Sequence, residues 1–300
     1  MNRRDFIKKG ATALAGAAVA GSILLNKSCD YKPYTERALW FYPDREKYDD
    51  YSSLFKQLSY NEIKPVLQPH NINSIYLCST YSYAPFTGSS IISSSNEKQK
   101  VKDFKSECND NNILVHALSL EDHIFLDKKE DELKSYFCEW LDRTREVFSR
   151  YQIDIEPHAH PSWRNPISRD QLIKKFIEGC SCFKDISEQY DAEFSPAVAP
   201  SYHKLLKEKG FSGLDSIPGH CLSLMSYTRD LYELKQLVNQ ELCDVKKNIL
   251  LGVSVHNDSP SPSLTDKSEI LQLPEMITGL RQEHEMIRGY IIFSNLRLLC

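Results

Sequence analysis

Eight short apolar runs recur along the chain after Tyr34, and polar loops and longer amphipathic segments separate them. Most of the runs are almost continuously apolar rather than alternating, which is typical of parallel strands that are covered on both faces. The pattern therefore predicts eight strands, at 38–42, 74–79, 113–120, 151–156, 193–199, 221–227, 249–255 and 289–295.

Helical periodicity fills several of the intervals between these runs. The segment 132–150 places large apolar side chains on one helical face: Leu133, Phe137, Trp140, Leu141 and Phe148. Ser168 to Gln171 has the form of a capping box, which predicts that a helix begins there. The segments 230–247 and 274–287 show similar amphipathic spacing, so strands and helices are expected to alternate.

Eight strand–helix repeats in a chain of this length predict a (β/α)8 barrel, the TIM barrel. An open, doubly wound sheet is the alternative, but no glycine-rich phosphate-binding turn follows the first predicted strand. The sequence ends at Cys300, only a few residues after the eighth run. The expected fold is therefore α/β, a TIM barrel whose eighth helix is incomplete or whose closure uses other segments.

The first residues have the pattern of an export signal. Arg3, Arg4 and Phe6 precede a mild apolar run rich in alanine and glycine, as in twin-arginine signals, which a receptor of the export machinery reads. A general secretory signal or an uncleaved anchor is the alternative, and Cys29 is a candidate for lipid modification. We expect export across the inner membrane to the periplasm, with membrane contact only through this signal or a lipid. The expected organisation is a signal or anchor at 1–28, a linker at 29–36 and a barrel domain at 37–300.

Charge and cysteine content narrow the classes of partner. The segment 1–28 carries five basic residues and one acid, so the net charge of −4 for the whole chain becomes −8 from Cys29 onward. Such an acidic surface argues against nucleic acid as a partner, but it does not exclude a glycan as a partner. The nine cysteines are scattered, and no CxxC or HExxH motif is present, so we expect mostly free thiols, no metal site and no cofactor.

Two carboxylates stand out in the stretch 151–158. Because side chains alternate along a strand, Asp154 and Glu156 share one face with Gln152, while isoleucines occupy the other face. Two carboxylates in so apolar a strand cost desolvation free energy. At the carboxyl end of a barrel strand they would face the reaction cleft, which makes them candidate acid–base residues. A structural pair bonded to backbone amides and an arginine is the alternative.

This strand, together with Met225, Tyr227 and the eighth run, resembles the family-18 glycoside hydrolases, the chitinases and endo-N-acetylglucosaminidases. Their fourth strand reads Asp-x-x-Asp-x-Asp-x-Glu, and their sixth carries Met-x-Tyr. The resemblance implies a TIM barrel that cleaves a glycan containing N-acetylhexosamine or a similar sugar. It also implies that Glu156 is the general acid, that Asp154 orients the substrate's acetamido group, and that Tyr227 donates a hydrogen bond to that group.

The chain departs from the family at several positions, and side chains near strand ends extend the expected cleft. Gln152 and Arg150 stand where the family carries its earlier acids, and Phe293 stands where it usually carries a tryptophan. Aromatic faces and loop histidines suit the binding of sugar rings. The candidate substrate contacts are Tyr42, His116, Gln152, His158, Trp163, Met225 and Phe293.

Two other functions remain open from the sequence. The first is a non-catalytic glycan-binding lipoprotein on the same barrel, in which the altered acids have lost turnover. The second is a metal-dependent hydrolase, because His158 and His160 lie next to the two carboxylates, and His116 and His256 could complete a divalent-metal site.

Overall fold

Eight parallel strands close into a barrel in the computed structural model of the chain, and they follow one another around it in sequence order. β8 pairs in parallel with β1, so the described sheet has no open edge. The predicted TIM barrel is confirmed. Its strands are β1 (Glu36–Phe41), β2 (Ser74–Cys78), β3 (Leu114–Leu120), β4 (Arg150–Asp154), β5 (Glu193–Val198), β6 (Leu222–Met225), β7 (Ile249–Val255) and β8 (Ile287–Ser294).

The structure describes residues 35–41, 58–78, 95–120, 123–255, 263–264 and 267–294, all within the unit Thr35–Cys300. Within these ranges one α-helix lies between each strand and the next, which gives seven helices for eight strands. The helices are α1 (Tyr60–Leu67), α2 (Ser95–Asp110), α3 (Glu130–Thr144), α4 (Pro166–Gln189), α5 (Tyr202–Glu208), α6 (Leu231–Glu241) and α7 (Lys267–Glu283).

The start of α4 differs from the predicted capping box. Asn165 is the N-cap, and its side-chain oxygen accepts hydrogen bonds from the backbone N–H groups of Ile167 and Ser168, at 3.0 and 3.3 Å. Pro166 follows as the first helical residue, where its fixed φ fits and its missing N–H is not needed. Ser168 therefore lies inside the first turn and does not cap the helix.

Three further helices were predicted with wrong boundaries, and one of them, α6, ends at Glu241 and not at 247. α3 ends at Thr144, because the chain must turn before β4 begins at Arg150. α7 begins at Lys267 and continues through Pro274, which the sequence pattern had placed at its start. A helix can tolerate an internal proline when tertiary packing outweighs the lost hydrogen bond, and Leu273 and Ile277 beside it are buried.

The outer core lies between the barrel and its helices. The outward side chains of β4 and β5, Tyr151 and Phe194, pack with aromatic residues of α3 and α4. Phe137 and Phe183 have ring centroids 4.6 Å apart, and the Trp140 ring meets Tyr151 edge to face at 5.0 Å. Burial of such large rings contributes much of the stability of this side of the barrel.

A charged network occupies the amino end of the barrel interior. Nη1 of Arg150, the first residue of β4, donates to both carboxylate oxygens of Glu36 on β1, at 2.9 and 3.1 Å. Its Nε donates to Glu193 on β5 at 2.7 Å, and the Tyr76 hydroxyl on β2 donates to Glu36 at 3.0 Å. These contacts link four strands, and in the mostly buried part of the network, at Glu36, a lone charge would be costly.

No helix among the described residues is both long and apolar enough to cross a bilayer. The seven cysteines in the described ranges are all free, as the scattered spacing predicted. Burial raises the pKa of the Cys108 thiol to about 12 and that of Cys182 to about 11, which disfavours their reactive thiolate forms.

Replacement of Arg150 by methionine should lower the free energy of unfolding by about 2 kcal/mol, because the mostly buried Glu36 then loses its cation, while the exposed Glu193 adds little. The measurement is urea denaturation. The double variant Glu36→Gln/Arg150→Met should recover part of the loss, since one of the two unpaired charges is then absent. Lys134→Met, which breaks an exposed ion pair with Glu130, is the control and should change little. Equal effects of Arg150→Met and Lys134→Met would contradict a structural role for the network.

Candidate functional site

The two candidate carboxylates lie where β4 ends. Asp154 is the last residue of the strand, and Glu156 follows after Ile155. Ile155 is buried in the outer core, whereas Asp154 and Glu156 are half-buried. The alternation predicted from the sequence thus continues beyond the strand, with the isoleucine against the helices and both carboxylates turned away from them.

The electrostatics of Tyr227 connect β6 with these carboxylates. Tyr227 lies two residues after the end of β6 and is half-buried. Burial raises the pKa of its hydroxyl well above the usual value, and the negative charges of Asp154 and Glu156 raise it further. The structure therefore brings the three predicted catalytic residues within electrostatic reach of one another at the carboxyl end of the barrel, where TIM-barrel active sites lie.

Aromatic rings form the layer beneath Tyr227. Its ring stacks on Phe293 of β8, with centroids 6.0 Å apart and planes 20° apart. Phe293 in turn meets the Trp40 ring of β1 edge to face at 6.0 Å. Trp40 fills the barrel interior above Gly252, where a Cβ atom would lie 3.2 Å from the indole and 2.5 Å from the Leu224 carbonyl oxygen. The site therefore rests on a packed aromatic support.

Gln152 belongs to this support and not to the substrate surface. Its side-chain oxygen accepts a hydrogen bond from the Trp40 indole N–H at 3.0 Å, and the residue is fully buried. Its amide nitrogen has no hydrogen-bond partner. Met225 is also buried in the inner cluster with Trp40. The predicted substrate contact through Gln152 is corrected accordingly, because the indole covers it.

His116 lies in the lower half of the barrel, away from the carboxylates. It precedes Leu120, which pairs with Asp154, by four residues, or about 13 Å of strand. Its ring is 5.0 Å from that of Tyr76, and its Nε2 is 3.9 Å from the Glu36 carboxylate. Burial, Arg150 and Lys105 lower the pKa of His116 well below its usual value, so this contact is not a charged pair. A role in substrate binding or metal binding at the cleft does not fit this position.

Tyr202 is a further member of the site that the sequence interpretation missed. It begins α5, directly after β5, and burial followed by the charges of Glu156 and Asp154 raises the pKa of its hydroxyl. His158 contacts this hydroxyl, and the half-buried Trp163 packs against the Tyr202 ring at 5.8 Å. The available signal was position, since a tyrosine just beyond a predicted strand end is expected at the cleft.

The histidines of the metal hypothesis face different partners. Nδ1 of His158 contacts Tyr202, whereas Nδ1 of His160 accepts from the backbone N–H of Ser162 and its Nε2 contacts Asp127 at 3.2 Å. Among the described residues, no three histidine, cysteine, aspartate or glutamate side chains converge as metal ligands. Tyr42 and His256 lie outside the described residues, as do the predicted signal and Cys29.

Several solved glycoside hydrolases share this barrel. A family-18 chitinase from Cycas revoluta, in complex with allosamidin, is 10% identical, with a TM-score of 0.53 over 88% of this chain and 97% of that one. A β-glucuronidase from Bacteroides uniformis is 10% identical, with a TM-score of 0.54 over 87% of this chain but only 30% of its own length. The spore cortex-lytic enzyme of Bacillus megaterium QM B1551 is 10% identical, with a TM-score of 0.50 over 89% and 73%.

No protein-family model matches the sequence, and no curated protein matches it either. At about one identical residue in ten, the likeness to these glycoside hydrolases shows the fold alone. The roles of individual residues must therefore be argued from the geometry of this chain.

The raised pKa of Tyr227 predicts how the protein responds to alkali. The folded state holds the hydroxyl proton above pH ~10, where an unfolded tyrosine releases it. This contribution to stability is therefore full below pH ~10 and is lost as the pH rises toward the folded pKa. In a tyrosinate absorbance titration, Tyr227→Phe should remove one late-ionising group, and Asp154→Asn should shift that group to lower pH. If Tyr227→Phe removes an early-ionising group instead, the burial and charge environment described here is wrong.

Proposed function

We propose that this protein is a glycoside hydrolase that acts on a glycan containing N-acetylhexosamine or a similar sugar, with Glu156 as the general acid. The observation that carries the proposal is the joint effect of Asp154 and Glu156 on the Tyr227 hydroxyl at the open end of the barrel. Two carboxylates within electrostatic reach of a protonated tyrosine suit the cleavage of a glycosidic bond with assistance from the substrate.

In the proposed first step, Glu156 gives its proton to the glycosidic oxygen as the bond from that oxygen to the anomeric carbon breaks. The carbonyl oxygen of the substrate's acetamido group bonds to the anomeric carbon and forms a cyclic cation. Asp154 orients the acetamido N–H and stabilises the positive charge. Tyr227 donates its hydroxyl proton in a hydrogen bond to the acetamido oxygen, and the raised pKa keeps that proton in place.

In the second step, the Glu156 carboxylate takes a proton from water, and the resulting nucleophile opens the cyclic cation at the anomeric carbon. Glu156 is then protonated as at the start, and the acetamido group is restored. Water is the only co-reactant. The support formed by Phe293 and Trp40 keeps Tyr227 in place through both steps.

A non-catalytic glycan-binding protein is the second candidate, and the position of Gln152 favours it. Where an acid behind Asp154 could take up or release a proton, this chain has a fully buried amide bonded to Trp40. A cleft with this arrangement can bind a sugar while turning it over slowly or not at all.

The substitution Glu156→Gln tests the proposal. It keeps the size of the side chain but removes the transferable proton, so turnover of N-acetylglucosamine oligomers should fall ~10²–10⁴-fold while binding is retained. Glu139→Gln, on the surface of α3 with Arg143 as its ion-pair partner, is the matched control and should leave turnover unchanged. Binding without turnover in the wild type would favour the second candidate, and loss of activity to a chelator would favour a metal-dependent enzyme.

We further propose that the segment 1–28 directs export through the twin-arginine machinery. Replacement of both Arg3 and Arg4 by lysine keeps the positive charge but changes the pair that the receptor reads. The double variant should remain in the cytoplasm when cells are fractionated, whereas Lys8→Arg should be exported normally. Normal export of the double variant would point instead to the general secretory route.

A further inference from the structure

The Tyr202 hydroxyl holds the chain just after the proposed general acid. The backbone N–H of His158, two residues beyond Glu156, donates to this oxygen at 3.2 Å. The His158 ring Nδ1 lies 2.9 Å from the same oxygen. The backbone N–H can only donate to the hydroxyl oxygen, and in the His158 tautomer with its proton on Nε2 the hydroxyl donates its own hydrogen to Nδ1.

Packing fixes the Tyr202 ring independently of its hydroxyl. The residue is 2% exposed, and its ring packs against Trp163 at 5.8 Å and Phe176 of α4 at 6.1 Å. The oxygen therefore projects from a rigid aromatic cluster between α4 and α5. A group held in this way can position a neighbouring backbone accurately, because it loses little conformational entropy on forming the hydrogen bond.

The main chain between Glu156 and His158 has little freedom of its own. Pro157 is buried and begins the 3-10 turn Pro157–Ala159, and the Ala159 N–H donates to the Glu156 carbonyl oxygen at 3.0 Å. The proline ring restricts φ directly after Glu156. With His158 held by Tyr202, both ends of this turn are tied, so the direction of the Glu156 side chain depends on the Tyr202 contact.

We propose that Tyr202 is a positioning residue for Glu156, which acts by holding the His158 backbone through its hydroxyl group. The inference rests on the proposed function, because it concerns the placement of the general acid. Tyr202 lies near both carboxylates, as their effect on its pKa shows, but its hydroxyl is engaged by His158. Its role is therefore to orient the acid, and the proton that reaches the substrate comes from Glu156.

Leaving-group dependence separates this role from a general loss of structure. A misplaced general acid slows cleavage only when the leaving group needs a proton. Tyr202→Phe keeps the ring contacts and removes the oxygen. Its kcat/KM, which reports cleavage of the glycosidic bond and not the later attack of water, should fall about 10- to 100-fold on an alkyl or phenyl N-acetylglucosaminide but should stay near the wild-type value on a dinitrophenyl glycoside. A merely structural defect would lower both rates equally.

Tyr151→Phe is the matched control. Tyr151 is also fully buried, it belongs to β4, and its hydroxyl contacts Thr144 at 3.0 Å on the opposite face of the strand. This variant also loses a tyrosine hydroxyl oxygen, so urea denaturation should show a loss of stability. The ratio of its rates on the two kinds of glycoside should match that of the wild type. An equal change of the ratio in Tyr151→Phe would overturn the proposal.

Glu156→Gln, measured on the same two substrates, distinguishes a failure of the positioning role of Tyr202 from a failure of the proposed function. If Glu156→Gln shows the leaving-group dependence and Tyr202→Phe does not, the positioning role is wrong and the proposed function stands. If Glu156→Gln shows no such dependence, the assignment of the general acid fails. Absence of turnover in the wild type overturns both. The positioning role and the proposed function are both supported if Glu156→Gln and Tyr202→Phe show the same dependence on the leaving group and Tyr151→Phe does not.

Discussion

A hydrogen bond inside the barrel, from the Trp40 indole to the Gln152 side chain, supports the candidate site from below. It joins β1 to β4 across the interior and fixes the tilt of the indole, against which Phe293 packs. Phe293 in turn stacks against the Tyr227 ring. Because both partners of the hydrogen bond are buried, its loss would leave polar groups without water or protein partners, so the arrangement has few alternatives.

The interior is divided into two zones along the barrel axis. At the amino end, Arg150 forms ion pairs with Glu36 and Glu193, and burial together with the charges of Arg150 and Lys105 lowers the pKa of the nearby His116. At the carboxyl end, the Tyr227 ring stacks on Phe293, which meets Trp40, and the half-buried Asp154 and Glu156 help to raise the pKa of the Tyr227 hydroxyl. β4 thus carries a cation at its first residue and a carboxylate at its last, with neutral Gln152 between them.

Much of the fold could be predicted from the sequence, because buried parallel strands leave nearly continuous apolar runs. The first residues of the helices were harder to predict. In α4, Asn165 is the N-cap and Pro166 follows it, whereas the sequence pattern had indicated a capping box at Ser168. Within the site, alternation predicted that Asp154 and Glu156 share a face. Alternation could not predict how far along the barrel axis His116 lies from Asp154, because strand register decides that distance. It also could not predict that Trp40 covers Gln152, because side-chain packing decides that contact. Tyr202 follows a predicted strand end and could have been found.

The neutral Gln152 behind Asp154 determines what the rest of the proposed site must supply. On the described inner face of β4, Asp154 has an amide and then a guanidinium behind it, and neither can exchange a proton with it. In the proposed reaction, a change in charge at Asp154 must therefore be balanced at the carboxyl end of the barrel, where the Tyr227 hydroxyl lies. That reaction would also depend on the accurate placement of Glu156, since no proton relay along the strand could compensate for a misplaced acid. Such dependence is the physical reason to expect a rigid clamp on the chain beyond Glu156, and Tyr202 with His158 has that geometry.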